Sequence, residues 1–380
     1  MPTLTTHTNS ASQPTPTLHV ALDLGNRNWC MACGRAVADP PRVRTLPARD
    51  LTRLSQELAL ARRHVGLLED APVVLCYEAG RDGFWLQRAC AAWGLTALVV
   101  DSSSIEVPRR ARRAKTDRLD AAALLRLLFR YSAGERGQWR VLHVPTVEEE
   151  DRRHQHRELA RLTRERTRGV NQIKGLLASH GISLTTLHGL PEQLVRLTQW
   201  DGQPLPPGVR DRLLTTWTRL QVVVKQRAAV LRARRALLEH ASDPASAMVR
   251  QLLRVRGVGE MSAWLLTMEL FSWRRFRNRR EVAGILGLTA TPQASGDRRR
   301  ELGIGKGGSA LLRGLALELA WCWLRYQPRS ALSQWYRTRF AAGGSRQRRI
   351  GIVALARRLI IALWRYVETG QVPVGATMKA

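Results

Sequence analysis

Four carboxylates punctuate the first third of an otherwise basic chain: Asp23, Glu78, Asp117 and Asp120. Carboxylates brought together repel one another and resist desolvation unless a hard divalent cation such as Mg²⁺ sits among them, and such an ion also bridges to phosphate oxygens. Asp23 and Glu78 each end an apolar run closed by glycine, LHVALDLG and PVVLCYEAG. Ligand sites of open α/β sheets form at such strand ends. Asp117 and Asp120 stand three apart in DRLDAAALLRLLFRY, on one face of the first turn of a helix. The chemistry this pattern suits is metal-assisted phosphoryl transfer on nucleic acid.

Composition points the same way. Lys and Arg number 61 against 31 acidic residues in 380, a net charge of +30. Most of the bases are Arg and they are spread along the chain, which favours extended contact with a polyanion over a single basic tail. With 44% hydrophobic residues the chain can build two or three domains with real cores. Five scattered cysteines form no disulfide framework, and Cys30 and Cys33 lack a second pair at zinc spacing, so they read as core residues of a protein of the reducing bacterial cytoplasm. Residues 1–17 are rich in Thr, Ser and Pro and read as a disordered tail, not a signal peptide. No apolar run is long enough to span a membrane, the richest (350–363) being broken by Arg357 and Arg358.

Three segments must position these residues. Residues 18–146 alternate apolar strands with helices, an α/β sheet domain. Residues 147–242 read as two long basic helices in an antiparallel pair, split at the PLPPG break, with Arg152, Arg153, Arg157, Arg161, Arg164, Arg166 and Arg168 on the faces outside an apolar stripe. That row, with few balancing acids, reads as a phosphate-tracking or dimerising arm. Residues 243–380 are helical again, so the fold class is α/β plus all-α. There, Gly257 and Gly259 beside Arg254 and Arg256 suit a helix-hairpin-helix, whose backbone N–H groups face a phosphate. The stretch TPQASGDRRRELGIGKGGSALLR reads as a flexible glycine-rich loop carrying Ser295, Arg298, Arg299, Arg300 and Lys306, followed by a helix with Ser309 at its cap and Arg313 inside it. A serine hydroxyl among cations can serve as a phosphoryl nucleophile.

Taken in order, ALDLG, YEAG, KTDRLDAAALL, RTRGVNQIKGLL, RGVGEMSAWLL and GLTATPQASGDRRRELGIGKGGSALLR resemble the DEDD-type insertion-sequence transposases, the RNA-guided bridge recombinases. The resemblance runs from residue 18 to about 370. It implies a ribonuclease H-like domain of the Holliday-junction-resolvase (RuvC-like) type over 18–146, a helical coiled-coil linker over 147–242 and a C-terminal transposase domain over 243–380. Asp23, Glu78, Asp117 and Asp120 fall on the family's metal ligands for Mg²⁺ or Mn²⁺, and Ser295 on its nucleophile. Lys306 and Arg313 match the basic residues that follow, and Lys115, Arg118, Arg164, Arg166, Arg168, Lys174, Arg256, Gly257, Gly259, Arg298 and Arg299 are the expected nucleic-acid contacts. The implied partners are donor and target DNA, a structured guide RNA, and further copies of the chain, a dimer with a tetramer as the synaptic assembly. The chain departs from the family in having Arg256 before its G-x-G, Ser309 where Asn is common, and a stretch from 191 to 210 without counterpart.

Other readings meet specific objections. A structure-selective junction endonuclease would share the quartet and the charge but use metal-activated water and leave Ser295 without a task. An actin-like or sugar-kinase ATPase would need a second D-x-G-T-like motif, which the sequence lacks, and would leave the charge unexplained. A non-catalytic RNA-binding protein would have no reason to keep all four acids.

Overall fold

The computed structural model describes residues 15–80, 82–105, 116–295, 298–304 and 307–379, and of residues 103 and 290–302 the backbone alone. Most of the expected tail therefore lies outside the described residues. The chain divides into two compact units, Met1–Val144 and Pro145–Ala380.

The first unit is built on strands β1 (Leu18–Leu24), β2 (Asn28–Gly34), β3 (Arg42–Pro47), β4 (Val73–Glu78) and β5 (Thr96–Val100), with helices α1 (Leu51–His64), α2 (Trp85–Ala92) and α3 (Asp117–Ser132). The sheet order is β3-β2-β1-β4-β5. The first three strands form an antiparallel meander, while β4 runs parallel to β1, and β5 to β4. The central strands are near-continuous apolar runs because both their faces are covered. Strand β3 was not apparent in the sequence: two of the six residues of RVRTLP are arginine and one is proline, a composition suited to an exposed edge.

Helix α3 lies across β1, β2 and β4. Ala21, Ala32 and Ala121 keep the contact shallow, and Leu124, Leu125, Leu128 and Phe129 fill it. Thr116 caps the helix by accepting a hydrogen bond from the Leu119 N–H, which places Asp117 and Asp120 at the positive end of the helix dipole. Cys30, Cys33, Cys76 and Cys90 are free and buried, as expected of core residues. Burial pushes the Cys33 and Cys90 thiols up to about 11, so neither is a reactive thiolate at neutral pH.

The second unit contains α4 (Val147–Ala178), α5 (Leu190–Arg196), α6 (Pro207–His240), α7 (Pro244–Leu253), α8 (Glu260–Leu266), α9 (Arg279–Leu286), strands β6 (Ala290–Ser295) and β7 (Arg298–Ile304), then α10 (Ala310–Tyr326), α11 (Ala331–Tyr336) and α12 (Ser345–Thr369). Single π-helical turns follow α8 (Thr267–Phe271) and α11 (Arg337–Ala341). A capping box between Thr146 and Glu149 opens α4. Helices α4 and α6 are antiparallel, since His156 meets Arg234, Thr163 meets Arg227 and Gly169 meets Leu220. Helices α7 to α12 enclose a separate core around Trp264, Phe271, Leu319, Trp323, Leu355 and Leu359.

Two expectations are corrected. The arginines of α4 do not form one phosphate-facing row: Arg152 pairs with Asp243, Arg153 and Arg157 with Glu269, and Arg161 with Glu158 and Glu165. The balancing acids are not apparent in the sequence because two of the four, Glu158 and Glu165, lie among the arginines of the helix itself and two, Asp243 and Glu269, arrive from distant sequence. The glycine-rich stretch around Ser295 is not an irregular loop either but an antiparallel hairpin, paired from Ala290↔Ile304 to Ser295↔Arg298 with a bulge between Ala290 and Pro292. Gly-Asp between two strands is a hairpin-turn sequence, and the surrounding glycines obscured it.

Candidate active site

Side chains alternate across a strand, so Asp23 shares a face with Ala21, and Glu78 with Cys76. Ala21 and Cys76 belong to the core beneath α3, which puts both carboxylates on the α3 side of the sheet. The parallel pairing of β1 with β4 runs from Leu18↔Val73 to Leu22↔Tyr77. Asp23 and Glu78 are the next residues along each strand, neighbours at the carboxyl ends. Cys30 lies opposite Asp23 in the antiparallel pairing. Burial first, then the negative charges of Asp23 and Asp117, push its thiol up against the opposing effect of Arg118. Asp23 and Asp117 thus act on the same point in space, and Asp120 follows one turn along α3.

Asn28, Thr45, Thr116, Asp117 and Arg118 line a cleft of about 350 Å³ beside this edge. Asp23 and Asp120 are half-buried, while Glu78, Asp117 and Arg118 are exposed. The quartet therefore shares one end of one sheet without closing into a cage: among the described residues no three His, Cys, Asp or Glu side chains stand as a set that could hold a metal ion. The donor chemistry, carboxylate oxygens on three elements, suits a hard divalent cation.

A residue that the sequence did not single out braces this edge. Arg49 has φ 66, the left-handed region that a non-glycine residue rarely occupies. Its guanidinium pairs with Asp82 at 2.8 Å and donates to the Asn26 carbonyl at 3.2 Å. Arg49 thereby ties the loop after β1 to the loop after β4, the two loops that follow Asp23 and Glu78. Only the positive φ marks it, and φ is not legible in sequence.

In the second unit Ser295 is the last residue of β6, paired with Arg298 at the start of β7, and Arg299 follows on the same strand. Their backbones are described but not their side chains. Lys115 and Lys306 lie outside the described residues. Arg164, Arg166, Arg168 and Lys174 are exposed along α4. Arg256 is exposed in the turn between α7 and α8. There Gly257 takes φ 90, and a side chain on it would press on Tyr326; Gly259 caps α8 with open space beside it. Arg313 is half-buried and donates to the Gly307 carbonyl at 3.0 Å. Gly287 and Gly308, both at positive φ, pack so closely against this turn that a side chain on Gly287 would strike the Gly307 carbonyl. Glycines here plant the start of α10 on the end of α9.

Sequence comparison extends over both units. The family described as Transposase IS116/IS110/IS902 matches residues 249–357, from α7 through the Ser295 hairpin into α12. A putative transposase, y4rJ, of Sinorhizobium fredii is 42% identical over 380 residues, covering 95% of this chain and 94% of that protein. A probable family 20 transposase of Pseudomonas aeruginosa is 29% identical over 258 residues, 66% of this chain and 71% of its own length. The transposase for insertion sequence element IS1111A of Coxiella burnetii is 26% identical over 213 residues, 56% of each. With 42% identity sustained across nearly the whole of both chains, this protein belongs to the IS116/IS110/IS902 family of transposases.

Proposed function

We propose that the chain exchanges DNA strands through Ser295, with the acidic edge of the first unit supporting the chemistry and a structured guide RNA choosing the sites. The observation that carries this reading is the register of β1 and β4, which makes Asp23 and Glu78 neighbours at the carboxyl ends of parallel strands, with Asp117 close by. The sheet order β3-β2-β1-β4-β5, antiparallel then parallel, supports the ribonuclease H-like assignment of this unit. Asp23, Glu78, Asp117 and Asp120 would hold Mg²⁺ or Mn²⁺, which supplies charge stabilisation at a scissile phosphate when bound.

In this reading the Ser295 hydroxyl oxygen attacks the phosphorus, the bond from phosphorus to the DNA 3′ oxygen breaks, and that oxygen leaves with the proton as a 3′-hydroxyl. The product is a phosphoserine link to the 5′ side, which keeps the phosphodiester count constant. Attack by the 3′-hydroxyl of a second strand reverses the step and joins the strands. The exposed Arg164, Arg166, Arg168 and Lys174 of α4 would follow RNA or DNA backbones. Assembly as a dimer, and as a tetramer at synapsis, would bring two duplexes together.

Ser295→Ala tests the reading on supercoiled DNA with cognate RNA and Mg²⁺. The expected result is loss of both the covalent protein–DNA adduct and the exchanged product. Cleavage persisting at the wild-type rate would instead support a water-using junction nuclease. Sequencing RNA that copurifies with the protein tests the guide, and absence of one enriched structured RNA would remove that part of the proposal.

A further inference from the structure

We propose that a groove between α11, α12 and the end of β7 is a binding track for single-stranded DNA. It has a volume of about 1070 Å³. Arg279, Arg346, Arg349, Arg357, Arg358 and Arg365 line it, and among the described residues no acidic side chain does. Among the described residues none of these arginines forms an ion pair with a carboxylate, in contrast to Arg152, Arg153, Arg157 and Arg161 of α4. Six like charges around one groove repel one another, an arrangement relieved by an anion that runs its length.

The floor decides which polyanion. Trp335, Ile350, Val353 and Ile361 make it apolar, and Ile350 is 53% exposed. A duplex turns phosphates outward and hides its bases, so it has no use for such a floor; an unpaired strand presents bases and sugars to it. The Arg358 guanidinium lies 4.0 Å over the Trp335 ring and Phe340 packs edge-on against the same indole, a cation and aromatic rings side by side of the kind on which unpaired bases stack. The lining side chains are Arg, Trp, Leu, Ile, Val and Ala, none of which accepts a hydrogen bond from a ribose 2′-hydroxyl. A 2′-hydroxyl laid on that floor goes unpaired, whereas deoxyribose and the thymine methyl suit the surface. A second copy of this chain docking by the same face would oppose arginine to arginine.

Gly303 and Ile304 form one lip of the groove. They end β7, the strand that pairs with the one bearing Ser295, so the groove meets the proposed nucleophile's own hairpin at its open end, where Ile304 pairs with Ala290, the far end from Ser295 and Arg298. The inference rests on the strand-exchange reading, since exchange is what releases an unpaired strand.

Fluorescence anisotropy of the full-length protein with labelled oligothymidylate, oligouridylate and duplex DNA, each of about fifteen units, tests it. Wild-type protein should prefer oligothymidylate to oligouridylate. Arg349→Glu combined with Arg357→Glu should weaken oligothymidylate binding by roughly 10-fold or more and flatten its salt dependence, with much smaller loss for the duplex. Trp335→Leu should weaken it without altering the salt slope. Unchanged oligothymidylate affinity in the double variant overturns the proposal, as does a wild-type preference for oligouridylate. Ser295→Ala should bind oligothymidylate like wild type, so a failure of the chemistry and a failure of the groove are read separately. Should the double variant not fold, photocrosslinking of 4-thiothymidine oligonucleotides to wild-type protein decides: adducts in 332–365 support the track, and adducts confined elsewhere overturn it.

Discussion

Arg157 closes on Glu269 with two parallel hydrogen bonds, Nε to Oε1 at 2.7 Å and Nη2 to Oε2 at 3.1 Å, joining residues 112 apart in sequence. Arg153 reaches the same carboxylate from the next turn of α4, and its guanidinium lies 4.1 Å over the Trp273 ring. Burial alone would raise the Glu269 carboxyl, but the hydrogen bond from Arg157 and the charges of Arg157, Arg153 and His156 hold it below the usual carboxylate range. This carboxylate, in the π-helical turn after α8, fastens the long helical pair to the C-terminal core.

Glu269→Gln should therefore destabilise the second unit. The buried Arg153 would lose its counter-charge, at a cost of about 3 kcal/mol. A fall in the thermal or denaturant midpoint checks this, and replacing Arg153 and Glu269 together by apolar residues of similar volume should recover much of the loss. A single variant as stable as wild type would show that the pair is not what fastens α4.

Arg234 Nη2 donates to His156 Nδ1 at 2.7 Å in a buried contact, so His156 is neutral and carries its proton on Nε2. Burial, and then the positive charge of Arg234, push its pKa down to about 4 from the ordinary 6.5. Above about 6.5 the imidazole is neutral folded or unfolded, and pH has no leverage through it. Below that value the unfolded chain takes up a proton that the folded chain refuses, so stability should fall as pH drops from 6.5 towards 4, by at most on the order of 3 kcal/mol. Unfolding midpoints between pH 7.5 and 4.5 measure the slope, and His156→Gln should flatten it.

Replacing Arg164, Arg166 and Arg168 together by Ala should reduce the salt slope of nucleic-acid affinity by about 2 to 3, because among the described residues these are the arginines of the α4 row left without carboxylate partners. The same substitution at Arg152 and Arg161 should leave the slope nearly unchanged. Equal slopes in both variants would place the backbone contacts elsewhere.

Asp117→Asn should lower strand exchange by roughly 100-fold or more while leaving nucleic-acid affinity within a few fold, since it removes a charge from the acidic edge without removing bulk. Chelation of divalent ions should have the same effect on wild-type protein. Exchange at the wild-type rate would detach Asp117 from the chemistry.

Much of this was legible in the chain. The apolar runs ending in Asp23 and Glu78 marked β1 and β4, and the alternation of runs placed both acids at strand ends. The acids that open DRLDAAALLRLLFRY marked the start of α3, and Ser309 the start of α10. Edge strand β3 was not legible, because its charged residues leave no apolar pattern. The Ser295 hairpin was hidden by the glycines around it, of which Gly287 and Gly308 serve close packing.

The sequence by itself determined the buried strands β1 and β4, the long helices, the net charge and the family, since these depend on local periodicity, residue chemistry and identity along the chain. Which arginines remain available to a phosphate was decided only by the tertiary structure. Arg153 and Arg157 look no different in sequence from Arg164 and Arg166, yet the first two are claimed by Glu269 from a distant turn. Charge is a property of the residue, whereas its partner is a property of the packing. The Arg-rimmed groove on α12 shows the converse, where folding brings six cations together and, among the described residues, supplies no acid to meet them.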